Sequence, residues 1–449
     1  MDILSESAAL YIHWPWCVRK CPYCDFNSYA CRGAIPEADY IEALLADLAA
    51  AAEDLCGRTV SSVFIGGGTP SLMTGAGMSR LLAGVRSAVT LTQDAEITME
   101  ANPGASNRER FAEYAAAGVT RLSLGVQSFD DTLLKRLGRI HSSAQAQDAV
   151  KAAVELFPEV NIDVMYALPG QSREMLERDI ACALACGTTH LSFYELTLEE
   201  GSVFWKRPPE GLPDSDLAAD LGEIVHDRLR DGGFVRYEIS GYARPGHMCR
   251  HNRTYWTFGD YLGIGAGAHG KVTLPGGTLV RTMRPKAPGR YMDGVRSGRF
   301  GAWRRKVSPR DLPFEFMLNA LRLLDGVPAG RFEETTGLSL AELEPALSSL
   351  RDEGLMVRDR GILAVTDLGR RFLSDVQERF LCAVAGLKCI SFPAADLGRL
   401  RRLVFLSFLV FFHAVCFQAP FCCSCWDFVL LHGPGAVGAA EFRAGGDAA

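Results

Sequence analysis

Apolar positions along the chain follow two alternating periods. Short β-branched and aromatic runs recur at the start of 8–28 and at 60–65, 96–100, 121–125, 161–166 and 190–196. Among them lie Ala- and Leu-rich stretches with helical spacing at 37–55, 79–88 and 108–117. This strand and helix alternation predicts an α/β fold built on a partial (βα)6 barrel rather than a closed eightfold one. Each strand-like run leads into polar or glycine-rich residues: Gly66-Gly67-Gly68-Thr69-Pro70, Glu100 with Asn102-Pro103-Gly104, Gln127-Ser128-Phe129, Asp163 with Leu168-Pro169-Gly170-Gln171, and Tyr194-Glu195. In a parallel barrel that carboxyl rim is where ligands bind. Farther on, 261–269 reads as a last short strand and glycine turn, 313–324 as an apolar helix, and 338–380 as helices around a hairpin. The helix-and-wing pattern of 338–380 has no basic stripe of the kind a DNA reader carries.

Composition narrows the chemistry. A chain of 449 residues with net charge −6 and 48% hydrophobic residues has room for a large core and no global attraction to nucleic acid. The amino terminus, MDILSESAAL, lacks a basic segment and a long apolar core, so a cytoplasmic protein with reduced thiols is expected. Cys17, Cys21 and Cys24 fall within one short stretch, too close together for separate disulfides. Soft thiolates in such a group suit zinc or an iron–sulfur cluster, and three of them leave one coordination position open. A closed structural zinc site needs four ligands, and only His13 lies near enough in sequence to complete one.

The motifs YIHWPWCVRKCPYCDF, GGGTPS, EANPG, GVQSF, LGRIH, NIDVMYALPGQ, HNRTYW and YLGIGAGAH together resemble the HemN/HemW branch of radical S-adenosylmethionine (SAM) proteins, over residues 8–380. The resemblance implies a 4Fe-4S cluster on Cys17, Cys21 and Cys24, with SAM on the fourth iron. It further implies SAM contacts from Tyr11, Gly67, Gly68, Thr69, Glu100, Gln127, Arg139 and Asp163, with Tyr23 near the adenine. Oxygen-independent coproporphyrinogen III oxidases of this branch carry a further Cys two residues after the third, where Phe26 stands here. They also carry an amino-terminal extension, whereas seven residues precede Ala8 here. Both features resemble the heme chaperones of the branch. By the same resemblance, His251, Tyr255 and Trp256 of HNRTYW are implicated in heme binding, with Cys249 as a further ligand candidate. The alternative is an oxidase of porphyrin biosynthesis, with Phe26 against it.

The expected organisation is a cluster and SAM barrel over 1–240, the HNRTYW region and last barrel elements over 241–310, a helical and winged domain over 311–381, and an atypical tail over 382–449. That tail holds six of the fourteen cysteines and no charged residue between Leu403 and Trp426. It reads either as a membrane-contacting extension or as a non-homologous sequence from a shifted reading frame. Its apolar stretch, 403–417, is shorter than the roughly 20 residues a spanning helix needs. The expected partners are heme and heme-accepting proteins, among them membrane-bound respiratory enzymes, and no nucleic acid.

Overall fold

The computed structural model describes residues 7–385 apart from Ser106, so the readings made for the tail beyond residue 385 lie outside the described residues. The first six strands are β1 (Ser7–Trp14), β2 (Thr59–Gly67), β3 (Leu91–Ala101), β4 (Arg121–Gln127), β5 (Glu159–Tyr166) and β6 (His190–Glu195). Each pairs in parallel with the next. Leu10, Val63, Ile97, Leu122, Ile162 and Leu191 share one core with the helices Glu37–Ala52, Gly75–Ala88 and Ser143–Leu156. Strand side chains alternate between faces, so the intervening residues point into the barrel lumen. This is the α/β architecture expected, with its six parallel strands present.

One helix begins earlier than its spacing predicts. It runs from Gly75 rather than 79, capped by the Thr74 hydroxyl, which accepts from the Gly77 N–H at 2.9 Å. Glycines weaken helix propensity. At both Gly75 and Gly77, however, a Cβ would meet a glutamate side chain within 2.5 Å, Glu113 in one case and Glu37 in the other. Close packing overrides propensity here.

The remaining strands of the sheet are β7 (Val235–Arg236), β8 (Gly241–Ala243), β9 (Tyr261–Ile264), β10 (His269–Thr273), β11 (Leu279–Met283) and β12 (Trp303–Lys306). The order across twelve strands is β12-β11-β10-β9-β1-β2-β3-β4-β5-β6-β8-β7. β9 adds a seventh parallel strand on the free side of β1, with Leu10 opposite Leu262. Antiparallel strands extend both edges. Charged residues disguise the β10–β11 hairpin in the sequence: Lys271 and Arg281 are both buried and balanced by remote partners, Asp260 at 2.9 Å and Glu315 at 2.8 Å.

Beyond β12, the helices Leu312–Ala320, Gly330–Thr336, Ala346–Asp352, Asp367–Arg371 and Leu373–Ala385 surround a short pairing of Val327–Pro328 with Ile362–Leu363. Their core residues Phe316, Phe332, Leu350 and Phe380 join Tyr255, Phe258 and Tyr261 of the barrel segment in one cluster. Two buried ion pairs, Arg281–Glu315 and Arg322–Glu238 (3.0 Å), cross the same junction. Among the described residues no helix is long and apolar enough to cross a membrane.

Removing one partner of a buried pair leaves the other charge without compensation, which typically costs about 3–5 kcal/mol. Glu315→Ala is therefore expected to lower unfolding free energy by roughly that amount. Denaturant titration checks it, and a loss of less than about 1 kcal/mol contradicts the role given to this pair.

Candidate functional site

The lumen holds a cavity of about 240 Å³. Its walls follow the strand period. Thr98, Glu100 and Asn102 come from β3 and its exit, and Arg121, Ser123, Gly125 and Gln127 from β4. Asn161, Asp163 and Met165 come from β5, and His190, Ser192 and Tyr194 from β6. Alternate residues on adjacent parallel strands converge on one interior.

Cys17, Cys21 and Cys24 line the mouth of this cavity. The loop that carries them is fastened backbone to backbone: the Gly68 N–H donates to Trp14 O at 2.7 Å, the Thr69 N–H to Trp16 O at 2.7 Å, and the Cys24 N–H to Cys21 O at 3.1 Å. Glycine is required at this approach. A Cβ on Gly68 would stand 2.6 Å from Trp16 O, and one on Gly67, at φ +110°, would strike the His13 ring. Burial pushes the Cys24 thiol up to about 12 and raises Cys17 as well, against hydrogen bonds from Thr69 and Ser28. Such thiols need a bound cation to hold them as thiolates. Among the described residues no three His, Cys, Asp or Glu side chains converge to hold a single metal ion. A cluster makes no such demand, because each thiolate binds its own iron.

Inside the mouth, the carboxylates have partners suited to a polar ligand. The Gly67 N–H donates to Glu100 Oε2 at 3.0 Å, and burial pushes the Glu100 carboxyl up to about 8. Asp163 accepts from Asn161 Nδ2 at 2.8 Å and Ser123 Oγ at 3.1 Å, and burial raises it too. Gln127 holds φ +70°, an uncommon conformation for a residue with a side chain, while its Oε1 accepts from the Tyr194 hydroxyl at 2.6 Å. Arg139 donates to the Cys21 sulfur at 3.6 Å and the Tyr23 hydroxyl at 3.4 Å. Glu100 and Asp163 can accept from hydroxyl or ammonium groups, and Arg139 can meet a carboxylate. The donors and acceptors fit SAM beside a three-thiolate cluster.

Twelve of the fifteen expected site residues meet here: Cys17, Cys21, Cys24, Tyr23, Gly67, Gly68, Thr69, Glu100, Gln127, Arg139, Asp163 and Trp256 all line the cavity. Tyr11, His251 and Tyr255 do not. Tyr11 is fully buried against Phe64 and Ala268, with its hydroxyl 2.9 Å from His13 Nδ1. His251, which the resemblance implicates in heme binding, lies in the core of the ligand-free fold. Its Nδ1 is 3.0 Å from Ser62 Oγ and its Nε2 is 2.7 Å from the Tyr255 hydroxyl, so both nitrogens are engaged. Burial lowers it to about 3, and its ring lies on Phe64 with centroids 5.1 Å apart. Helical geometry explains the split, since His251 and Tyr255 are four apart and share the core-facing side of Arg250–Trp256. Cys249, Asn252 and Trp256 instead reach the cavity. Residues that motif reasoning missed, such as Ser123, Asn161 and Arg121, could have been found from their period-two spacing with Gln127 and Asp163.

The class is set by the fold and the cysteine loop. The family described as the radical SAM superfamily matches residues 11–183, and the HemN C-terminal domain matches residues 307–372. The first implies a 4Fe-4S cluster and SAM. The structure of coproporphyrinogen III oxidase (HemN) from Escherichia coli superposes with a TM-score of 0.71 over 84% of this chain and 91% of that one, at 23% identity, and shows the shared fold. The heme chaperone HemW of Escherichia coli (strain K12) is 46% identical over 83% of this chain and 98% of its own length. Heme chaperone HemW of Mycobacterium tuberculosis (strain H37Rv) is 38% identical over 83% and 94%. The bovine protein named radical S-adenosyl methionine domain-containing protein 1, mitochondrial, is 38% identical over 83% and 89%. The chain belongs to the HemW family.

Because burial raises Glu100 to about 8, the folded protein keeps a proton there that the unfolded chain has released above the ordinary carboxyl value of 4.5. Stability of the ligand-free protein should therefore fall as pH rises from 4.5 through 8. Asp163 works in the same direction. Glu100→Gln keeps the acceptor for Gly67 and cannot ionise, so its stability profile should be flatter; denaturant midpoints across that range provide the check. A variant as steep as wild type contradicts a buried protonated Glu100.

Proposed function

We propose that the protein is a heme chaperone: it binds heme and passes it to heme-requiring acceptor proteins, carrying a 4Fe-4S cluster and SAM on its barrel. The observation that carries this reading is Phe26. It lines the cluster cavity at the place where oxidase-type members of the branch carry a further cysteine. The 46% identical relative is named a heme chaperone, in agreement. In this reading Cys17, Cys21 and Cys24 hold the cluster, and Glu100, Gln127, Arg139 and Asp163 hold SAM with the Gly67–Thr69 turn. Residues 1–240 form the cofactor barrel, 241–310 complete it, and 311–381 brace its base. Acceptors include membrane-bound respiratory enzymes, and the protein works in the cytoplasm.

The cluster supplies redox chemistry and an iron site for SAM when bound. The chain's own residues position the ligand and exclude water from the lumen. Replacing Cys17, Cys21 or Cys24 with Ala should abolish thiolate-to-iron absorption after anaerobic reconstitution, and a triple variant that retains full cluster iron and sulfide contradicts the ligand set.

Function is tested on the reconstituted wild-type protein. It should bind hemin and form no protoporphyrinogen from coproporphyrinogen with SAM and reductant. Turnover to protoporphyrinogen overturns the chaperone reading in favour of the oxidase.

A further inference from the structure

Charge is spread very unevenly along this chain. Residues 284–310 carry nine Lys and Arg against a single acidic residue, Asp293, a net of +8 within a protein whose net charge is −6. Three of the nine are committed to carboxylates: Arg284 is buried on Asp47 at 2.8 Å, Arg296 pairs with Asp293 at 3.0 Å and Arg304 with Asp54 at 2.6 Å. Lys286, Arg290, Arg299, Lys306 and Arg310 are exposed, and no acidic side chain pairs with them among the described residues.

The fold gathers this segment along one border. It begins at the cluster loop, where Lys286 O accepts from Asn27 Nδ2 at 2.9 Å and from the Tyr29 hydroxyl at 3.3 Å. The helix Pro288–Arg296 follows and buries Tyr291 and Val295, so Arg290, Asp293 and Arg296, three apart, turn outward. The Tyr291 hydroxyl donates to Asp47 Oδ2 at 2.9 Å, which seats this helix on the helix Glu37–Ala52, and Arg304 reaches Asp54 just beyond the end of that same helix. Between them the Arg299 N–H donates to Gly294 O at 2.8 Å and folds the turn back onto the helix. β12, which carries Arg304 and Lys306 outward, is the last strand of the sheet. Charged side chains on an outermost strand guard it against pairing with other chains, which accounts for β12 and leaves the helix and turn unexplained. Segments that bind a bilayer bury an apolar face in it, whereas no large apolar side chain of 284–310 is exposed. A polar, cationic border with a strand at its edge suits an acidic protein surface.

We propose, resting on the chaperone reading, that the border 284–310 is the surface on which the heme-accepting protein docks, and that the acceptor meets it with an acidic patch. Complementary charge speeds encounter and fixes orientation more than it adds affinity, which suits a partner that must arrive, take its cargo and leave. Asn27 and Tyr29 tie the start of the border to the cluster loop, so a docked acceptor lies beside that loop.

The test uses the hemin-loaded, cluster-containing full chain. Its probe is heme-free myoglobin extended by a run of glutamates, with unextended heme-free myoglobin as the control. Hemin should pass to the extended probe faster than to the control at low salt, and the difference should fade as salt screens the charges. Arg290→Glu/Arg299→Glu/Lys306→Glu should slow transfer to the extended probe by about tenfold or more at low salt. Lys151→Glu/Arg173→Glu/Arg178→Glu changes net charge by the same amount on the helices Ser143–Leu156 and Arg173–Ala185, which pack on β5 far across the sheet, and should leave the rate near wild type. Cluster iron and sulfide content and the hemin spectrum establish that each variant is folded and loaded. An extended probe served no faster than the control, or equal rates in the two variants, overturns the docking surface alone. Border-dependent binding that is tighter to phosphatidylglycerol vesicles or to a single-stranded oligonucleotide than to the extended probe also overturns it. Absence of hemin binding by the wild-type protein overturns the chaperone reading and the docking surface with it.

Discussion

The site depends on one close approach of backbone to backbone. Where β1 runs into the cluster loop, the carbonyls of Trp14 and Trp16 accept from Gly68 and Thr69 of the turn after β2. No side chain fits between them, because a Cβ on Gly68 would come within 2.6 Å of Trp16 O. The three thiols and Glu100 are thereby fixed in one frame, since the Gly67 N–H of the same turn donates to the Glu100 carboxyl. His13 closes the frame from behind, linking the Tyr11 hydroxyl to Asn27 O, which ends the cluster loop. Local glycine chemistry thus couples the three cavity thiols to the Glu100 carboxyl.

Around that frame the barrel tolerates an unusually polar interior. Ser123, Asn161, Asp163 and His190 form a connected set, with Asn161 donating to Ser123 and Asp163 and accepting at 2.7 Å from His190 Nδ1. A buried polar network is stable when its members are satisfied and costly where they are not. At the floor, Arg121 Nη2, Arg322 Nη1 and Trp256 Nε1 have no hydrogen-bond partner among the described residues. Ordered water or ligand atoms complete such groups. The domain after β12 closes this floor through Arg322 and Glu238, so the small domain contributes to the cavity as well as to stability.

Much of this was legible in the sequence. Strand and helix alternation gives the parallel order, and the spacing of Cys17, Cys21 and Cys24 marks the cavity mouth. Motifs located Gln127 at the exit of β4, Asp163 within β5 and Arg139 just after the helix Asp131–Arg136. Two features were hidden for physical reasons. The β10–β11 hairpin carries Lys271 and Arg281, whose neutralising partners are brought close only by folding. The split within HNRTYW appears only in helical phase, which turns His251 into the core and Trp256 to the cavity.

A heme chaperone of this kind hands its heme directly to another protein. Direct transfer is measured by stopped flow from the heme-loaded, cluster-containing protein to a heme-free acceptor, followed over a range of acceptor concentrations. A rate that rises with acceptor concentration, faster than heme dissociates unaided, is the predicted result. A rate independent of the acceptor and equal to unaided dissociation would contradict the account.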